Sequence, residues 1–275
     1  MKEFVIMVLA MMYGVLYGGD ALDIVENSVK GLKYSRADKS LIDAVERDPN
    51  YYTLKEGVKV KVEDFEDEVG IDYYLDVLVL ANDGKKSIGE FISVVEAIDK
   101  IVNIGSKVWD MVIANKPVVK VENKYATALP MGVKNAGELS GWSKPRSYLI
   151  SFYFENLYGI DVIRVSYKVT YVYGGSYGGK GKYLAGVWAI PVNIEVMWGF
   201  SFNMQAYVPD ATVVNVGTSS NPIAALQLKV SWSASSLLKE IDGTGVYYIQ
   251  GDGYFEEIAS PFRGTRTDLK NINIE

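Results

Sequence analysis

Successive even-numbered positions from Trp188 to Val208 are all apolar: Trp188, Ile190, Val192, Ile194, Val196, Trp198, Phe200, Phe202, Met204, Ala206 and Val208. Their odd-numbered neighbours include Asn193, Glu195, Ser201, Asn203 and Gln205. Side chains of an extended chain point alternately to its two faces, so this stretch predicts one apolar ribbon and one mostly polar ribbon. At about 3.3 Å per residue, an unbroken strand of this length would reach on the order of 70 Å. Ordinary strands run about five or six residues. A bend is therefore expected at Gly199, with Pro191 marking an edge position near the start. A bent strand of this kind can serve both sheets of a sandwich.

The same rhythm recurs nearby. Tyr148, Ile150, Phe152 and Phe154 share one face. Ile163, Val165, Tyr167, Val169, Tyr171 and Tyr173 share another, opposite Arg164, Ser166, Lys168 and Thr170. Ala224, Leu226, Leu228, Val230, Trp232 and Ala234 form a last clear apolar face. Residues 245–249 and 254–258 predict a closing hairpin around Gly251-Asp252-Gly253. Residues 123–146, with Pro130, Gly132, Gly137, Gly141 and Pro145, are a connection long enough to hide a short strand or lid. One-sided alternation with short turns argues for an antiparallel sandwich or open barrel.

Before Pro117 the pattern differs. Residues 22–47 carry helical spacing and end at Asp48-Pro49-Asn50. Val58, Val60 and Val62 predict a short strand, and residues 71–80 a second. Residues 88–114 predict a long helix: Ser87 and Glu90 have capping-box spacing, and Ile88, Phe91, Val95, Ile98, Val102, Gly105, Trp109 and Val112 recur at steps of three and four. Together these expectations give an α+β fold, a helix-containing N-terminal region packed on a C-terminal antiparallel β-sandwich. The expected divisions are a signal peptide over 1–21, an acidic helix-rich α/β region over 22–116, and the sandwich over 117–275.

Composition narrows the chemistry. Apolar residues make up 49% of the 275 and charged residues 23%, which is globular. Cysteine and histidine are both absent. That removes disulfides, thiolate nucleophiles, imidazole bases, the Ser-His-Asp triad and zinc sites built on His or Cys. Net charge is −6, and no basic stripe follows a phosphate backbone, so nucleic acid is discounted as a partner. No residue pattern calls for a cofactor.

Residues 4–17 are continuously apolar. As a helix they span about 21 Å, short of a bilayer core of about 30 Å. The length suits the apolar segment of a secretory signal, with Gly19 and Ala21 as the small residues before a cut after Ala21. The expected location is outside the cytoplasm: periplasmic, cell-surface or secreted.

Three motifs invite chemistry. Gly174-Gly175-Ser176-Tyr177-Gly178-Gly179-Lys180-Gly181 approaches the P-loop spacing, but Gly181 stands where a hydroxyl should hold magnesium, and a strand follows instead of a helix. It reads as a glycine-rich connection between strands. Tyr173, Tyr177 and Tyr183 frame it with Lys180 and Lys182, making this the candidate contact loop, since aromatics beside polar groups grip sugars or partner surfaces. The acidic run Glu63, Asp64, Glu66, Asp67, Glu68 lacks the pattern of a calcium loop. Glu155, Asp161 and Glu195 lie in the β region, but no spacing pairs two of them for glycoside hydrolysis.

The functional expectation is an exported, non-catalytic protein with a binding or surface-structural role toward a protein or carbohydrate. The first alternative is a secreted β-pore-forming protein that inserts a hairpin from 192–234, the only reading with membrane contact. The second is a carboxylate-dependent hydrolase.

Overall fold

The structure, a computed structural model, describes residues 38–56, 59–65, 98–113, 116–117 and 124–259. Its element order is α1 (Lys39–Arg47), β1 (Lys59–Phe65), β2 (Ile101–Val102), β3 (Val108–Ile113), β4 (Lys116–Pro117), β5 (Ala126–Pro130), β6 (Arg146–Glu155), β7 (Asp161–Tyr177), β8 (Lys180–Val196), β9 (Ser201–Tyr207), β10 (Val214–Asn215), β11 (Ala224–Ser235), β12 (Glu240–Gln250) and β13 (Phe255–Ala259). Two antiparallel sheets pack face to face. The six-stranded sheet has the order β1-β6-β7-β8-β5-β2, and the seven-stranded sheet β13-β12-β11-β9-β3-β4, with β10 beside β11. This is the α+β fold expected, an N-terminal helix on an antiparallel β-sandwich.

Aromatic rings from both sheets fill the space between them. Phe152 and Phe154 of β6 meet Trp232 of β11 at centroid distances of 5.7 and 5.1 Å, and Phe152 meets Phe202 of β9 at 5.9 Å. Each such side chain, fully buried, contributes about 1.5–3 kcal/mol. The helix α1 is capped by the Asp38 carboxylate, which accepts from the Ser40 amide at 2.8 Å. It seats Val45 in the same core.

The long apolar ribbon divides as its length requires. It supplies the end of β8 in one sheet and all of β9 in the other. The crossing is a turn at Trp198-Gly199, with Gly199 at φ 89°. A Cβ there would lie 2.5 Å from Cε1 of Tyr52, so glycine is needed for both conformation and space.

The ribbon does not keep one face throughout. In the β7–β8 ladder Ser166 pairs with Asn193, and Tyr167 with Pro191, so Val192 is an extra residue. This β-bulge exchanges the parity of inward and outward positions. Ile190 stands outside opposite Lys168, whereas Ile194 lies inside opposite the buried Val165. Val192 itself is 58% exposed. Pro191, which lacks a backbone N–H, sits at the bulge where a ladder bond is already interrupted.

The long helix expected over 88–114 is corrected where it is described. Ile101–Val102 and Val108–Ile113 are strands, and residues 98–100 form a turn and a coil. Trp109 and Met111 are buried while Val108 and Asp110 are exposed, a period of two. A Cβ on Gly105 would lie 2.3 Å from the Tyr125 carbonyl oxygen, which explains the glycine inside the supposed seam. The capping pair Ser87 and Glu90, the strand expected over 71–80, residues 1–37 and Glu66–Glu68 of the acidic run lie outside the described residues. Of the helix expected over 22–47, the described part begins at Asp38, and α1 confirms Lys39–Arg47. The short strand inside 123–146 is β5. Strands from both sides of Pro117 share each sheet.

Candidate functional site

The glycine-rich segment is largely strand. β7 runs to Tyr177 and β8 starts at Lys180, so only Gly178-Gly179 turn, with φ of 56° and 75°. Positive φ at both central residues is what a two-residue hairpin with matched twist requires. Other glycines of the segment admit close neighbours. A Cβ on Gly175 would lie 2.4 Å from the Trp142 indole, and one on Gly181 2.6 Å from the Tyr183 ring. The hairpin is strapped down by Ser176 N–H donating to the Ser140 carbonyl at 2.7 Å and Lys182 N–H to the Pro222 carbonyl at 2.9 Å.

The five residues of the expected contact loop therefore separate. Lys180 and Lys182 are exposed, and Tyr177 is half-buried opposite Lys180. Tyr173 is half-buried, with the Arg146 guanidinium 5.3 Å from its ring centroid. Tyr183 is fully buried, and its hydroxyl donates to the Ile98 carbonyl at 2.8 Å. Burial first, and the nearby Asp99 second, push its pKa up to about 12. Tyr183 is thus a core residue in place of a surface aromatic, and the loop presents no continuous tyrosine surface.

The acids Glu155, Asp161 and Glu195 gather at one end of the six-stranded sheet with cations among them. Arg164 lies 3.1 Å from Asp161 and 3.5 Å from Glu195, and Lys55 lies 3.5 Å from Glu155. The same end carries exposed Leu157, Tyr158 and Ile160 on the β6–β7 turn, and Met197 and Trp198 on the β8–β9 turn. The Met197 amide donates to the Val162 carbonyl at 2.9 Å, which sets the two turns side by side. The Asn156 side-chain oxygen fixes the first turn by accepting from the amides of Tyr158 and Ile160, both at 3.0 Å.

A different surface has depth. On the outer face of the seven-stranded sheet lies a shallow groove of about 360 Å³ between β3, β9 and β11. The register places Asp110, Gln205, Ser231 and Thr244 in one row across four strands. Asn203, Ser233 and Asp242 form the next row. The Gln205 amide donates to the Asp110 carboxylate at 3.2 Å, and the Ser231 and Thr244 hydroxyls share a 2.8 Å hydrogen bond. One end of the groove is apolar because of a second bulge. The β3–β9 register shifts between Asp110 and Val112, so Met111 and Val112 are both buried and Ile113 turns outward, 51% exposed. Beside the polar rows, Lys229 sits 5.7 Å from the Tyr207 ring centroid.

The polar faces of β9 and β11 are visible in the sequence as Asn203, Gln205, Ser231 and Ser233. Asp110 is not, because the three-and-four spacing around it mimics a helix. Comparison with protein-family models, curated proteins and solved structures finds no match to this chain.

Proposed function

We propose that this is an exported binding protein whose contact surface is the outer face of the seven-stranded sheet, around the groove between β3, β9 and β11. The observation that carries the reading is the row Asp110–Gln205–Ser231–Thr244. Four adjacent strands hold donors and acceptors at fixed spacing on a rigid scaffold, so a ligand meets groups already oriented, and little ordering entropy opposes binding. Export is supported by the apolar stretch 4–17 with Gly19 and Ala21 behind it. Among the described residues no helix is long and apolar enough to cross a membrane.

Two measurements test the reading. N-terminal sequencing of protein recovered from producing cells should find the chain starting at Leu22, in the extracytoplasmic fraction. A photo-crosslinking amino acid placed at Ser233 should form adducts in those cells, and the same group at Ser166, on the outer face of the other sheet, should not. Equal labelling at both positions, or none, would remove the groove as the contact surface.

A further inference from the structure

Resting on that reading, we infer that the ligand of the groove is an uncharged, polyhydroxylated chain, a neutral glycan. Among the described residues, the side chains that line the groove include the amides of Asn203 and Gln205, the hydroxyls of Ser231 and Ser233, and the carboxylate of Asp110, and none is a lysine or arginine. Amides and hydroxyls both donate and accept, which is what a sugar hydroxyl needs, since it does both at once. A phosphate or sulfate needs donors and positive charge. Here Asp110, and Asp242 in one adjacent row, outweigh the single cation Lys229 in the other adjacent row, which stands over the Tyr207 ring, so the surface opposes an anion.

The shape agrees. Adjacent strands lie about 4.8 Å apart, so a row across four strands extends about 14 Å. That length suits several linked sugar rings lying across the strands. The groove is open along its top, as a chain longer than its binding site requires. Its apolar end at Ile113, with Val112 and Met204 beneath, offers a surface to the C–H face of a ring. An extended peptide is disfavoured by the backbone. Peptides add to sheets through unpaired edge N–H and C=O groups, and here β9 and β11 are paired on both sides.

The experiment uses the exported protein and titration calorimetry against neutral oligosaccharides (glucan, mannan, xylan and chitin hexamers) and a sulfated glucan of equal length. At least one neutral chain should bind, the sulfated glucan roughly tenfold more weakly or not at all. Asn203→Ala and Gln205→Ala should each weaken binding roughly tenfold, the loss of one well-made polar contact to a bound ligand. Ser233→Trp, which fills the groove, should abolish it, and Ser166→Ala should leave it unchanged. Both amide positions are exposed, so the variants should keep the circular dichroism of the parent. Failure of every neutral chain, or equal affinity for the sulfated one, overturns the inference. If Ser233 still crosslinks selectively in cells, the contact surface stands and only the ligand class is wrong. If that crosslink is absent as well, both fall.

Discussion

The hydroxyl of Tyr167 on β7 meets the hydroxyl of Tyr247 on β12 in the interior, joining the two sheets by a polar contact inside an apolar core. Burial, then the Tyr247 and Glu257 neighbours, raise the Tyr167 pKa well above the ordinary tyrosine value. The hydroxyls can be accommodated there because they bond each other instead of water.

Tyr167→Phe should cost about 0.5–1.5 kcal/mol, the net worth of the one buried hydrogen bond it removes. The pH dependence follows from the raised pKa. The folded protein holds a proton that the unfolded chain releases above pH 10, so this stabilisation is complete below that pH and falls as pH rises through the folded value. Tyr125, Tyr171 and Tyr183 shift in the same direction. Urea unfolding should give constant stability from about pH 7 to about pH 9 and a decline above about pH 10, each tyrosine contributing at most about 1.4 kcal/mol per pH unit. Tyr167→Phe should make the decline shallower. A flat profile up to about pH 11 would contradict this account.

The bulge at Val192 yields a contrast between two deletions. Removing Val192 should regularise β8 while leaving Ile190 outside and Ile194 inside, since only the extra residue is lost. Removing Ile194 should turn Glu195 toward the core, as any one-residue slip of a strand does. The first protein should therefore fold with a melting temperature near that of the parent, and the second should not give a cooperative transition. Equal damage from both would show that the bulge does not set the faces.

At the crossing between sheets, Gly199→Ala should be costly on two counts. The left-handed conformation penalises any L side chain by about 1–2 kcal/mol, and the added methyl meets the Tyr52 ring. Denaturant titration should show a loss of about 2–4 kcal/mol from the combined strain and overpacking. Gly159→Ala is the control, because it has φ 78° but nothing within 4 Å of the new Cβ. It should show the conformational part alone.

Trp198 is 58% exposed, and its ring stands edge-on to that of Tyr52 at a centroid distance of 6.1 Å. With Met197, Leu157, Tyr158 and Ile160 it makes an apolar end that should bind a hydrophobic dye such as ANS. Met197→Ser and Trp198→Ser together should lower that dye signal strongly and change stability by about 1 kcal/mol or less, as substitutions at exposed positions do. Undiminished fluorescence would place the dye elsewhere.

By itself, the sequence determined the sandwich. Strict alternation over 148–154, 163–173 and 224–234 can be satisfied only by strands with one face inside; β6 and β11 follow it, and β7 follows it as far as Val169, beyond which Thr170 and Val172 are buried as well. It also determined the break near Gly199, because no single strand of that length fits a globular core. Only the tertiary structure decided which positions lie inside on either side of a bulge. A bulge costs one residue and leaves no mark in the apolar pattern, so Ile190 and Ile194 look alike in sequence and face opposite ways. The strand at Val108–Ile113 was hidden for a related reason: apolar positions spaced for a helix also supplied a strand with its own bulge, and only pairing with β9 chose between them. The groove follows from that choice. Asp110 and Gln205 lie far apart in the chain, and their shared row exists because β3 and β9 are neighbours in the sheet, a long-range pairing that no local pattern encodes.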